Sequence, residues 1–337
     1  MQGGEHPNYH ARNAFARTVV GSIAARYRAL VSSPRDRVHA LSESVLAARR
    51  AGQPVVALES SVLAQGLPVP ENREADARMR GAIAARGAVP AITAVVRGVP
   101  TVGLEGDDLE RFLRREGVSK VSARDIPWAM VTRRDGATTV AASLALSAAA
   151  GLEVFATGGI GGVHRGAPYD ESADLVELSR TPVVTVCAGA KSILDLPATV
   201  ERLETLGVPV IGYRTGHFPG FFTARSGVEV GAVAESASQI AEAWRAHRAL
   251  GRGSALLVVQ APPAADALDA AVVAGAVDGA LAAAAAAGVR GAAVTPFLLA
   301  AVERATGGRS LRANLALLEA NAALAADIAV ALAGVTA

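Results

Sequence analysis

Short β-branched runs alternate with longer helical patterns along most of this chain, and that alternation restricts the fold more than any other feature. From Pro54 onward the strand-like runs are Val55–Leu58, Ile92–Val96, Val102–Leu104, Val154–Ala156, Val183–Val186, Val208–Ile211 and Leu256–Val259. Between them lie helical patterns near Glu71–Arg86, Asp107–Arg115, Ala137–Ala150, Ser172–Leu178 and Ile193–Leu206. Runs that are apolar throughout belong to strands buried on both faces, and the helices between them are the crossovers that parallel strands require. The expected class is α/β: a central, largely parallel sheet with helices on both faces. A helical C-terminal part follows, over Ala264–Ala287, Thr295–Ala305 and Ser310–Leu332, the last opened by Ser310 as a cap.

No linker rich in serine, glycine or proline divides the body, so residues 46–337 read as a single α/β catalytic domain. Residues 1–45 read as an N-terminal extension, partly helical or disordered. Its first 35 residues carry five arginines against the single acid Glu5, which superficially resembles a targeting peptide, but arginine enrichment alone does not define one.

Charge and aromatic content narrow the partners. With 33 basic and 31 acidic residues the net charge is only +2, and 4% of residues are aromatic, so neither a phosphate-tracking face nor a base-stacking platform for nucleic acid stands out. The longest low-polarity stretch, Ala261–Val289, is mostly alanine and is broken by Asp266, Asp269 and Asp278, which argues against a membrane span. Cys187 is the only cysteine, which excludes intrachain disulfides and fits a reducing, cytoplasmic setting. The six histidines are scattered without a zinc spacing, and no G-x-S-x-G is present, so neither a catalytic zinc nor a serine hydrolase is indicated.

In open α/β sheets ligands bind beyond the carboxyl ends of the strands, which directs attention to Glu59, the Thr157–Gly166 loop and Lys191. Lys191 follows the run Val183–Val186 at a strand-to-helix junction, where partial burial or a second cation such as Lys120 could favour the neutral amine over the usual surface form near pH 10. The loop packs five glycines into ten residues, a composition suited to turning amides toward an anion. It misses the dinucleotide fingerprint because His164 stands where the third glycine belongs, and Gly189-Ala190-Lys191-Ser192 lacks the glycine that a P-loop needs before its lysine. Asp170 and Asp174 are four apart and would share a face if their segment were helical, their repulsion relieved by a cation; alternatively Asp170 caps the helix and Asp174 is solvated.

Several tracts together resemble the pseudouridine-5'-phosphate glycosidase family, also described as indigoidine synthase A-like. They are Val56–Ser60, Lys120–Asp125, Gly136–Ala141, Thr157–Gly166, Ser172–Leu175, Cys187–Asp195 and Thr295–Leu299, in order over roughly residues 50 to 330. The resemblance implies reversible cleavage of the C–C bond of pseudouridine 5'-phosphate to uracil and ribose 5-phosphate by a cytoplasmic homotrimer. It implies Lys191 as nucleophile, Glu59 and Asp174 as acid/base groups, and Asp170 as ligand of a manganese ion. Lys120, Val140, His164, Ser172, Ala173 and Asn314 would contact the substrate. Two competing readings share some of these residues: a Schiff-base aldolase or isomerase acting on another sugar phosphate, and a non-catalytic accessory protein of pigment biosynthesis.

Overall fold

The computed structural model describes residues 39–166, 169–289 and 294–334. The segment expected as an extension lies mostly outside that range, but its last residues join the fold. Strand β1 (Ala40–Leu41) is followed by helix α1 (Glu43–Arg50), whose first turn is closed by Ser42 accepting from the Val45 amide.

In chain order there follow β2 (Val55–Leu58), a π-helical turn over Val62–Gly66, α2 (Glu71–Ala84), β3 (Val89–Val96), β4 (Val99–Val102) and α3 (Gly106–Leu113). Next come β5 (Val118–Val121), α4 (Ile126–Thr132), β6 (Asp135–Thr138), α5 (Val140–Ala149), β7 (Val154–Ala156), β8 (Val163–His164) and α6 (Ala173–Arg180). Then β9 (Val184–Cys187), β10 (Leu194–Asp195), α7 (Leu196–Thr205), β11 (Val210–Tyr213), β12 (Val233–Ala234), α8 (Ala237–Ala249) and β13 (Leu256–Val259) complete the sheet region. The C-terminal part is α9 (Ala270–Ala286), α10 (Val294–Ala305) and α11 (Arg309–Ala333).

Eleven strands form one sheet in the order β1-β4-β3-β2-β7-β9-β13-β11-β12, with β6 paired to β3 and β5 paired to β6. Its centre is parallel throughout, as the uninterrupted apolar runs predict: every residue of β2, β7, β9 and β13 is buried. Because side chains alternate between faces, complete burial means that both faces are covered. Parallel order breaks on one side only. The eight-residue β3 pairs in parallel with β2 through Val89–Ile92, then antiparallel with β4 through Thr93–Val96 and with β6 at Ala94 and Val95.

Two local expectations are corrected. The helix expected from Ala137 begins only at Val140; Asp135–Thr138 is instead strand β6, and Thr139 caps α5 by accepting from the Ala142 amide. Ser310 does not cap α11. Gly308 holds that position with φ 76°, a left-handed geometry suited to glycine, while Ser310 is buried and its amide donates to Thr306 Oγ1. Among the described residues, the one helix with the length and apolarity to cross a membrane is α11. It packs on β2, β7, β9, α2 and α8, so its apolarity serves the core.

Candidate active site

The carboxyl ends of β2, β7 and β9 lie side by side, and the residues just beyond them form one cleft. Its walls comprise Glu59, Ser61, Val62, Gln65, Gly66, Lys120, Gly158, Gly159, Lys191, Phe221, Leu299 and Asn314. The cleft is open to solvent, and the space free of protein atoms within it, solvent included, is about 570 Å³.

Glu59 follows β2 directly and is 7% exposed. Both of its oxygens are engaged: Thr157 Oγ1 donates to Oε1 and Ser61 Oγ to Oε2. Two hydroxyls on a carboxylate leave room for a proton to arrive, because a hydroxyl that donates can also turn and accept. The strand end beneath Glu59 is fixed by buried hydroxyls. Thr93 Oγ1 donates to the Leu58 carbonyl at 3.0 Å and pairs with Thr138 Oγ1 at 2.8 Å, and the Thr138 amide donates to Ser60 Oγ at 2.9 Å.

Lys191 is reached through a turn that extends the parallel pairing of β7 and β9. The Ala188 amide donates to Gly158 O at 2.9 Å, the Ile160 amide to Gly189 O at 3.0 Å, and the Lys191 amide to Ile160 O at 3.1 Å. Gly189 has φ +79°, and a Cβ there would sit 2.1 Å from the Pro219 carbonyl, so only glycine permits this turn. The Lys191 side chain is half-buried, and Nζ donates to Gly159 O at 2.9 Å. The amine is thus held on the wall that Glu59 also lines. The nearby thiol offers no competing nucleophile, since burial pushes Cys187 up to about 12.

Lys120, on β5, is held below the ordinary lysine range, first because surrounding protein displaces its water and second because of the charge on Lys191; Glu59 and Asp174 oppose the shift. Its side chain still meets solvent, which screens these effects. The expected proximity of two cations is therefore present.

Four amides of the glycine-rich loop are engaged within the protein. Ile160 donates its amide to Gly189 O, Gly161 to Asp174 Oδ2, Val163 to Thr199 Oγ1 and His164 to Asp170 O. Tight turns do not explain its composition, since of its five glycines only Gly166 has a positive φ. Close packing does: a Cβ would lie 2.6 Å from the Phe221 ring at Gly159, 2.3 Å from Ser172 Oγ at Gly161 and 2.3 Å from Thr199 Oγ1 at Gly162. The loop is clamped from behind by Asn321 of α11, whose Nδ2 donates to Thr157 O at 2.8 Å and whose Oδ1 accepts from Gln260 at 2.8 Å. Substituting Asn321 with leucine leaves those buried groups unpaired, and the expected cost is about 1–3 kcal/mol of unfolding free energy. A denaturant titration checks this; an unchanged midpoint contradicts it.

Asp174 is buried, with Oδ1 accepting from the Ala141 amide at 2.9 Å and Oδ2 from Gly161 at 2.8 Å. It does not share a helical face with Asp170, which precedes α6 and is exposed. Nor does Asp170 cap α6, because Ser172 does so by accepting from the Asp174 amide. Val140 and Ala173 open α5 and α6, and Ser172 donates its amide to Gly162 O at 2.9 Å. His164 lies in β8, paired with Leu194 of β10. Val140, Ser172, Ala173 and Asp174 thus gather at the starts of α5 and α6, which pack on each other, whereas His164 lies beside β10 and α7; none of the five is among the residues lining the cleft.

Among the described residues no three His, Cys, Asp or Glu side chains converge as a metal cluster. Asp170 is a lone exposed carboxylate, a donor that suits a hard cation keeping most of its water shell.

Gln65 and Phe221 also line the cleft although neither stood out in the sequence. Gln65 was recognisable only as a polar residue in the apolar tract Val62–Leu67, and Phe221 only as an aromatic beside Pro219-Gly220.

Residues 44–331 match the family described as Indigoidine synthase A like protein, and the chain belongs to that family. Among its relatives, the protein named pseudouridine-5'-phosphate glycosidase from Gemmatimonas aurantiaca is 65% identical over 291 residues, covering 86% of this chain and 95% of that one. The protein of the same name from Roseiflexus sp. is 56% identical, covering 88% and 96%. The crystal structure of the prealnumycin C-glycosynthase AlnA in complex with ribulose 5-phosphate superposes with a TM-score of 0.82 at 37% identity, covering 89% of this chain and 98% of that one. An indigoidine synthase A-like protein from Thermotoga maritima gives 0.80 at 35% identity, covering 88% and 98%.

Proposed function

We propose that this chain reversibly cleaves the C–C glycosidic bond of pseudouridine 5'-phosphate, giving uracil and ribose 5-phosphate. The observation that carries the reading is the placement of Lys191 and Glu59 on one cleft wall, in a chain 65% identical to a protein of that name. Expelling a carbon leaving group is difficult for the usual pair of carboxylates, which act on a C–O bond. An amine offers another route.

In the proposed sequence an acid protonates the ring oxygen and the C1'–O4' bond opens. The Lys191 nitrogen adds its electron pair to C1' and gives up a proton. The C1'–C5 bond then breaks, its electron pair being captured by a proton at C5 of uracil, while the nitrogen lone pair forms an imine with C1'. Water hydrolyses the imine, restoring the amine and releasing ribose 5-phosphate, so the sum is substrate plus water. Glu59 and Asp174 are the acid/base groups of this scheme. Lys120, Val140, His164, Ser172, Ala173 and Asn314 are assigned to the sugar phosphate, and the two helix starts at Val140 and Ala173 have the polarity to favour an anion.

A manganese ion belongs to the same reading, with Asp170 as its protein ligand and water completing the shell. When bound it supplies positive charge near the substrate. Asp170→Asn is expected to raise the manganese concentration needed for half-maximal activity, about tenfold or more. A metal titration with unchanged midpoint contradicts the assignment. A cytoplasmic homotrimer is also part of this proposal, and sedimentation of the purified protein tests the assembly.

The direct test of function is to incubate the protein with pseudouridine 5'-phosphate and manganese and to assay uracil and ribose 5-phosphate. Release of both in equal amounts supports the reading. Release of neither overturns it.

A further inference from the structure

Two cleft-lining side chains each hold an oxygen shielded from water and without a hydrogen-bond partner: Gln65 Oε1 and Asn314 Oδ1. A shielded acceptor left unpaired is unfavourable and calls for an explanation, and in a cleft a ligand donor supplies one. Asn314 is already a candidate for substrate contact. Gln65 is not, and its orientation is set from outside the cleft. Its Nε2 donates to the Val118 carbonyl at 3.3 Å, at the start of β5. With the donor end of the amide committed there, the unpaired end is necessarily the acceptor.

The backbone reinforces this placement. Gln65 lies on the π-helical turn Val62–Gly66, a geometry that recurs at functional sites. That turn is anchored by fully buried Asn72 of α2, whose Nδ2 donates to Leu63 O at 2.9 Å and to Leu113 O at 2.8 Å. The glutamine therefore stands on a fixed segment six residues beyond Glu59, on the same wall.

We infer that Gln65 is a specificity-determining residue that accepts a hydrogen bond from a ring N–H of the departing base, with Asn314 as the companion acceptor. The inference rests on the proposed function and adds a reader for the base. The chemistry matches in number. A uracil joined through C5 presents two ring N–H donors, N1–H and N3–H, and the cleft offers two unpaired acceptors. A uracil joined through N1 presents only N3–H. Two acceptors thus favour the C-linked base over its N-linked isomer before any bond is broken. A site built around a hydrogen bond discriminates strongly against an analogue that cannot donate it, because the buried acceptor is then left unpaired.

The test uses pseudouridine 5'-phosphate and its N1-methyl and N3-methyl derivatives as substrates for the full-length enzyme and for Gln65→Leu, which keeps similar bulk and removes the acceptor. In the unsubstituted enzyme at least one methyl derivative should react about 100-fold more slowly than the parent, or worse. In Gln65→Leu, kcat/KM for the parent should fall about tenfold or more, and the penalty against that methyl derivative should shrink by a similar factor. Borohydride trapping of ribose 5-phosphate on the variant should proceed as in the parent enzyme, because the sugar half is untouched. Equal rates for all three substrates with the unsubstituted enzyme overturn the inference without any variant. An unchanged methyl penalty in Gln65→Leu overturns it too. Failure of the unsubstituted enzyme to cleave pseudouridine 5'-phosphate overturns both the inference and the functional reading beneath it.

Discussion

Lys191→Ala is expected to lower the cleavage rate at least about 10³-fold while leaving the thermal unfolding midpoint close to that of the parent. The loss follows from the proposed chemistry, in which the C–C bond breaks only after a nitrogen is attached to C1'. Without that nitrogen no lone pair is available to form the imine at C1' as the bonding electrons leave with C5 of uracil. The fold should tolerate the change because the turn is held by backbone bonds from Ala188, Ile160 and Lys191, all of which alanine preserves. The side chain itself contributes one hydrogen bond, from Nζ to Gly159 O. Steady-state kinetics with a melting curve separates the two effects. Turnover within tenfold of the parent by a folded Lys191→Ala enzyme removes the amine from the mechanism.

The second large effect is expected at Glu59. Glu59→Gln keeps the shape of the side chain and one acceptor oxygen, but removes a proton donor and acceptor from the cleft wall. A fall in kcat of about 10² to 10⁴ is expected, the range in which a positioned acid or base contributes. KM should change far less, since the amide still fills the space between Thr157 and Ser61. A variant that retains the rate shows that Glu59 only braces the strand end.

Much of the scaffold was legible because its physics is local. The runs at β2, β7 and β13 are apolar at every position, and burial on both faces of a parallel sheet is the ordinary way to satisfy such a run. Strand β6 was not legible. Its residues, Asp135-Gly136-Ala137-Thr138, carry no apolar run, and they become a strand because β3 and β5 pair with them on either side. The antiparallel turn of β3 onto β4 is hidden for the same reason: register with a distant partner leaves no mark on a short window.

The site divides in the same way. Glu59 and Lys191 announced themselves by standing where buried strands end, and the structure brings both to one cleft. Asp170 and Asp174 do not act as a pair on one helical face, and spacing alone does not reveal that the helix starts only after Ser172, with Asp174 buried in its first turn. The glycine loop answers to more than one requirement. Its composition suits an anion nest, yet a glycine can also be required by a neighbour's approach, and the side chains of Phe221, Ser172 and Thr199 that press on Gly159, Gly161 and Gly162 come from elsewhere in the chain. Gln65 was invisible because its significance lies in an unpaired oxygen.

All of these features converge on the amine at residue 191, and one measurement addresses it directly. The enzyme is incubated with ribose 5-phosphate, reduced with borohydride, digested and sequenced by mass spectrometry. The account predicts a single stable pentose phosphate adduct on the peptide carrying Lys191, absent when the reductant or the sugar phosphate is omitted. An enzyme that turns over pseudouridine 5'-phosphate yet shows no adduct, or shows it only on Lys120, contradicts the account.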